Sequence, residues 1–192
     1  VGFAWLSMRY VYKRSFVKFL FFVLLAASFH NSAFILVIFY FIPIRRYKEK
    51  HIMLFMAFCL VLGLSGVPSA LFRIYGDVAD MHYRSDSYVE NEVGFKFEYI
   101  IEASVFLYIV LKNYTKIPQT KKDIVMLNAL LVFCAILLLF VQSLNGGRMG
   151  WYYLIGPIAT LSTICNASKV NIQTKGYVIL ICFILYTRIV LQ

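Results

Sequence analysis

Apolar runs recur along almost the whole chain, broken only by short polar segments, and this leaves too little polar surface to wrap a water-soluble globule. Hydrophobic residues fill 61% of the 192 positions and charged ones 15%, with a mean hydropathy of +0.77. An ordinary soluble domain is roughly half apolar and a quarter charged. Period-two alternation, the mark of a membrane β-barrel, is missing from runs such as 124–141. The expected fold is therefore all-α: a polytopic transmembrane helix bundle with some short or re-entrant helices, forming a single membrane domain over 1–192. Val1 stands inside an apolar stretch and Gln192 follows another, the pattern of a C-terminal fragment of a larger polytopic protein.

The candidate spans are 15–30, 31–44, 52–68, 97–112, 124–142, 151–167 and 177–191, with 1–8 as the tail of a preceding helix. The excess of 19 Lys and Arg over 9 Asp and Glu could indicate a nucleic-acid partner, so its distribution decides. The basic residues gather in alternate loops: Arg9, Lys13, Arg14 and Lys18; then Arg45, Arg46, Lys48 and Lys50; then Lys112, Lys116, Lys121 and Lys122; more weakly Lys169 and Lys175. Cytoplasmic loops carry such an excess, so topology explains the charge and no nucleic acid is expected. Both ends of 19–44 are basic, which favours an out-and-back pair of short helices with His30, Asn31 and Ser32 at the turn. The intervening loops then face outward. The longest is an extracytoplasmic loop over 69–96, mixing Asp77, Asp80, Asp86, Glu90 and Glu92 with Arg73, Arg84 and Lys96. Cys59, Cys134, Cys165 and Cys182 lie within apolar runs and read as small hydrophobes.

Three polar elements converge on the outward face: the His30 turn, the 69–96 loop, and the short loop bearing Asn145, Gly146, Gly147 and Arg148. His30 lies between two apolar limbs, where an imidazole serves either as a general base or as an interfacial residue satisfied by carbonyl or water. Arg148 follows two glycines and precedes Trp151, Tyr152 and Tyr153. Its guanidinium suits bidentate binding of a diphosphate, or else snorkels to headgroups, and the aromatics fit a membrane-interface belt. Glu98 and Glu102, four apart on one helix face, are candidates for an acid or, more simply, for a structural ion pair. P-loop, dinucleotide-binding, zincin and nucleophile-elbow motifs are all missing.

The segments Ala27-Ser28-Phe29-His30-Asn31-Ser32-Ala33 and Arg148-Met149-Gly150-Trp151-Tyr152-Tyr153, the latter ahead of an apolar stretch with Pro157, resemble those of the EpsG-like family of bacterial exopolysaccharide membrane proteins, akin to Wzy-type O-antigen polymerases. The resemblance spans most of the chain. It implies a multi-pass protein of the bacterial cytoplasmic membrane that polymerises lipid-linked oligosaccharide repeat units, a glycosyltransferase reaction drawing on a polyprenyl-pyrophosphate-linked glycan. Carried across by the resemblance, His30 and Arg148 would be its catalytic residues, and no other residue transfers; Asn31, Arg73, Trp151 and Tyr152 are expected substrate contacts from their place on the outward face. No metal or other cofactor is expected, and a chain-length regulator and a flippase would share the membrane. Two other functions compete: a flippase for the same lipid-linked sugars, and a membrane acyltransferase modifying the polysaccharide. The core spans 124–142 and 177–191 carry few polar residues beyond Asn128 and Arg188, which argues against transport.

Overall fold

A computed structural model describes residues 1–71, 94–143 and 146–167, with 172, 173, 175, 176, 179 and 180 beyond them. Its elements are helical. They are α1 (Gly2–Tyr12), α2 (Phe16–Phe29), a 3-10 stretch (Asn31–Ile35) leading into the short α3 (Leu36–Tyr40), α4 (Glu49–Leu64), α5 (Phe97–Lys112) and a 3-10 turn (Tyr114–Lys116). Then come α6 (Lys121–Leu139), a second 3-10 stretch (Gly146–Tyr153) and α7 (Ile155–Asn166). The expected span over 177–191 and most of the 69–96 loop, Arg73 included, lie outside the described residues.

Helix α6 is the axis of the molecule. Thr120 caps its first turn by accepting the Asp123 N–H at 3.2 Å, and the body that follows holds no Gly or Pro. At 19 residues, it is the one described helix long and apolar enough to cross a membrane. Its length is about 28 Å at the helical rise. From Val125 to Leu138 nearly every side chain is buried, because α1, α4, α5, α7 and the second 3-10 stretch all pack on it.

Contacts along α6 fix the directions of its neighbours. Gly63, near the end of α4, meets the Leu138 and Leu139 carbonyls, so α4 runs parallel to α6. A Cβ there would collide with backbone, and only glycine permits this approach. Helix α5 runs the other way: Lys96 donates its backbone N–H to Val141 O at 2.8 Å, Phe106 meets Phe133 edge-on, and the Arg46 guanidinium lies 4.0 Å from the Tyr114 ring at the far end. Tyr114 OH also donates to Tyr47 O at 2.5 Å. Helix α7 is antiparallel as well, with Gly150 against Phe133 and Ile136 and Gly156 against Ala129 and Leu130.

Between α1 and α2 the chain reverses at Lys13 and Arg14. Arg14 has φ 52, the left-handed conformation, while its N–H bonds Val11 O and that of Ser15 bonds Tyr10 O. Those two bonds are the Schellman pattern, here closed by an arginine instead of the usual glycine. The arginine is held by its own head: Nη1 donates to Tyr40 O at 2.9 Å, and the guanidinium lies over the Tyr40 ring. Tyr40 packs in turn on Phe16 and Phe19, so 31–40 has folded back alongside α2. The out-and-back pair expected from charge is thus a hairpin with unequal limbs. Its outward limb is about 21 Å long, and the return, part 3-10 and part α, is about 18 Å.

Two sequence expectations change. The helix expected over 52–68 begins at Glu49 and breaks after Leu64, where Gly66 has φ 73 and Gln142 Nε2 donates to Leu64 O at 2.7 Å. The span expected to start at 151 instead opens with 3-10 winding to Tyr153, and its α-helix starts at Ile155. All directions combined, one end of the bundle carries Arg14, Arg45, Arg46, Lys116 and Lys121, and the other carries His30 and the Gly146–Tyr153 stretch. Between the two ends, the outer helices expose large apolar side chains, among them Val17, Phe21, Ile38, Leu54, Phe58, Val61 and Tyr108.

Candidate functional site

Helix α2 ends where Phe29 passes to His30, whose backbone is extended while its N–H still bonds Ala26 O at 3.2 Å. Ala33 N–H returns to His30 O at 3.0 Å and starts the 3-10 stretch. This tight turn sets His30 and Asn31 at the surface, with Ser32 half-buried behind them. Ser32 Oγ lies 2.9 Å from His30 Nδ1.

The same Ser32 oxygen lies 2.8 Å from the hydroxyl of Tyr152, 120 residues further along the chain. The next residue repeats the link: Tyr153 OH donates to Ile35 O at 3.0 Å, and its ring meets Phe39 edge-on. Trp5 Nε1 donates to Trp151 O at 3.4 Å, which ties α1 to the same stretch. The two sequence motifs are therefore one structural unit, stitched by hydrogen bonds at one end of the bundle. Gly150 lets this stretch lie flat on α6, since a Cβ there would stand 3.1 Å from the Phe133 ring.

Arg148 sits four residues before Tyr152 in that stretch, about 8 Å along a 3-10 path, and its side chain is exposed. A surface histidine and a surface arginine thus stand on adjoining, mutually braced segments. Both side-chain types bind oxyanions, a guanidinium through two oxygens and an imidazole N–H through one. Trp151 is half-buried, and its carbonyl is engaged by Trp5. Tyr152 and Tyr153 are 7% and 2% exposed. Of the two readings of this aromatic run, substrate contact and interface belt, the belt does not describe Tyr152 and Tyr153, whose rings are buried and whose hydroxyls bond the hairpin.

Glu98 and Glu102 lie on a different element from this unit. They lie on α5, whose main packing is against α6; Glu98 is exposed in the first helical turn, where N-terminal N–H groups favour a carboxylate, and Glu102 is half-buried. Arg73 and Asn145 fall outside the described residues. Ser32 is the participant that sequence reading passed over as a mere turn residue. Its signal was a hydroxyl two positions after a histidine, a spacing at which side chains of a turn meet.

A family model described as the EpsG family matches residues 1–192, the whole chain. The chain belongs to the EpsG family. No curated protein and no solved structure gave a match. EpsG-family proteins are associated with polysaccharide polymerisation, so membership carries a role in polysaccharide biosynthesis. In this EpsG-family chain the His30 turn and the Arg148 stretch, which carry the sequence resemblance, are the two segments joined by the Ser32–Tyr152 hydrogen bond.

Proposed function

We propose that this protein polymerises lipid-linked oligosaccharide repeat units, transferring a glycan from a polyprenyl-pyrophosphate carrier to an incoming unit on the outer face of a bacterial cytoplasmic membrane. The observation that carries the reading is the joining of the His30 turn to the Arg148 stretch through Ser32 and Tyr152. It sets an exposed imidazole and an exposed guanidinium at the end of the bundle opposite the basic loops. Basic loops belong on the cytoplasmic side, so the site faces the other way.

The polytopic membrane reading draws on the distribution of apolar surface. The longest described helix, α6, is enclosed by protein, while the helices around it still expose apolar side chains in number. A soluble protein would also enclose an apolar helix but would turn polar faces outward, so the exposed apolar side chains are what carry the reading. Lipid in place of water accounts for them, with the shorter helices spanning by local thinning of the bilayer.

In the reaction, the acceptor hydroxyl attacks the anomeric carbon and the bond from that carbon to the diphosphate breaks. Arg148 stabilises the charge that develops on the departing diphosphate. His30 either takes the acceptor proton or orients a diphosphate oxygen. A chain-length regulator and a flippase are the partners that such a pathway calls for.

The test is to place His30→Ala and Arg148→Ala separately in the full chain, verify membrane levels by immunoblot, and resolve glycan length on a gel. Each substitution is expected to lower polymer formation about a hundredfold or more, leaving single lipid-linked units on the outer face. Normal polymer from both variants overturns the reading. Accumulation of units on the inner face instead assigns the protein to transport.

A further inference from the structure

We infer that His30 acts as a hydrogen-bond donor through Nε2, and that Ser32 and Tyr152 are positioning residues which hold it in that tautomer. The inference rests on the polymerase reading and decides between the two roles left to His30.

The argument follows the protons along three atoms. Tyr152 is 7% exposed, and its hydroxyl has one hydrogen-bond partner among the described residues, Ser32 Oγ at 2.8 Å. A phenolic O–H with no other acceptor among the described residues is satisfied by donating here, since an unsatisfied buried donor is costly. Ser32 Oγ therefore accepts from Tyr152. The serine has one proton of its own, and its remaining neighbour is His30 Nδ1 at 2.9 Å. Donation from Ser32 to Nδ1 is the arrangement that gives both hydroxyl protons an acceptor among the described residues, whereas Oγ accepting from both Tyr152 and an Nδ1–H would leave the serine proton to solvent. An Nδ1 that accepts carries no proton, so in the neutral imidazole the proton sits on Nε2. The reverse order, with Nδ1–H donating to Ser32 and Ser32 to Tyr152, leaves the phenolic proton with no acceptor among the described residues.

The ring is exposed at the end of α2, so its free edge presents Nε2–H to whatever occupies the site. An N–H there cannot take a proton from an acceptor hydroxyl. It can donate to a non-bridging oxygen of a diphosphate, beside the fork of Arg148. The chemistry still balances without a side-chain base. The anomeric carbon's bond to the diphosphate breaks with its electron pair going to the diphosphate. The acceptor oxygen forms the new bond, and its proton ends on the released diphosphate.

Two measurements test this on the full chain. The first is 15N NMR of histidine-labelled protein in nanodiscs, with the His30 signals identified by their loss in His30→Gln and separated from those of His51 and His82. The expected signature is a protonated Nε2 with Nδ1 as acceptor. In Tyr152→Phe and Ser32→Ala the two tautomers mix, and Ser32→Thr restores the bias. A merely structural role for the two hydroxyls would leave the His30 signals unmoved. The second is polymer formation by His30→Gln, whose amide places an N–H near the Nε2 position without basicity. It is expected to stay within about tenfold of wild type, whereas His30→Ala falls about a hundredfold or more. A bare Nε2, unmoved signals in Tyr152→Phe and Ser32→Ala, or a His30→Gln variant as inactive as His30→Ala overturns the inference while leaving the polymerase reading intact. Full activity in His30→Ala instead overturns the polymerase role of His30 and the inference with it.

Discussion

Arg148 and Tyr153 lie in one 3-10 stretch yet face opposite tasks, the first exposed and the second buried and bonded to Ile35 O. For Arg148 the fork matters as well as the charge. Arg148→Lys keeps the cation and loses the bidentate geometry, so polymer formation is expected to fall about tenfold, between wild type and Arg148→Ala. Equal activity in Arg148→Lys and wild type would mean that charge alone suffices. For Tyr153 the expected effect is on stability. Tyr153→Phe leaves a partly buried carbonyl without its donor, a loss of about 1–2 kcal/mol, read as a lower thermal midpoint in detergent. At this scale the sequence is half legible. His30 stands out because an imidazole between small polar residues and two apolar limbs is costly unless it is used. The inward bonds of Tyr152 and Tyr153 do not stand out, because a Trp-Tyr-Tyr run reads the same at a lipid interface as in a bundle. What separates the two is a partner 120 residues away.

Helix contacts explain why helices could be placed from sequence although their ends could not. Length and hydropathy mark a span, whereas its ends depend on local closures such as the left-handed Arg14 or the break at Gly66. Two substitutions examine the packing between the helices. Gly63→Ala pushes a methyl into the Leu138 carbonyl and should destabilise the α4–α6 contact by about 1–3 kcal/mol, whereas Gly2→Ala, with open space around it, should be near neutral. Comparable thermal midpoints for the two variants would show that α4 can move away freely. At the opposite end Tyr114 joins α5 to the α3–α4 connection. Burial raises its hydroxyl pKa above the ordinary 10.0, and Arg46 pulls the other way. A raised folded-state pKa means that the phenol's contribution to stability is complete below about pH 10 and is lost as pH climbs through the higher folded value. Wild type should therefore lose thermal stability above pH 10 more steeply than Tyr114→Phe. Parallel pH curves would assign the alkaline loss elsewhere.

Across the whole molecule, two gradients run at right angles. One is radial, from the enclosed α6 to the apolar outer faces of α2 and α4. The other is axial, from the end with Arg14, Arg46 and Lys116 to the end with His30 and Arg148. The axial gradient is legible in the sequence, since each reversal of a helix alternates a basic loop with one lacking basic excess. The radial one is not, because side chains facing lipid and side chains facing protein are equally apolar. Hydropathy therefore marks α6 as a span without marking it as the centre. The axial gradient makes the sharpest demand, that Gln119 and Arg148, one at either end of the bundle and both exposed, face opposite compartments. In intact cells with a permeable outer envelope, a membrane-impermeant maleimide should label Arg148→Cys and spare Gln119→Cys. Permeabilising the inner membrane should bring Gln119→Cys up to the same level. Cys59 and Cys134 are buried, Cys165 is half-buried and Cys182 lies outside the described residues, so labelling of the unsubstituted chain is measured and subtracted. Labelling of Gln119→Cys alone would invert the topology and put the His30–Arg148 site in the cytoplasm, where a lipid-linked repeat unit already flipped outward could not reach it. Equal labelling of both from one side would break the alternation itself.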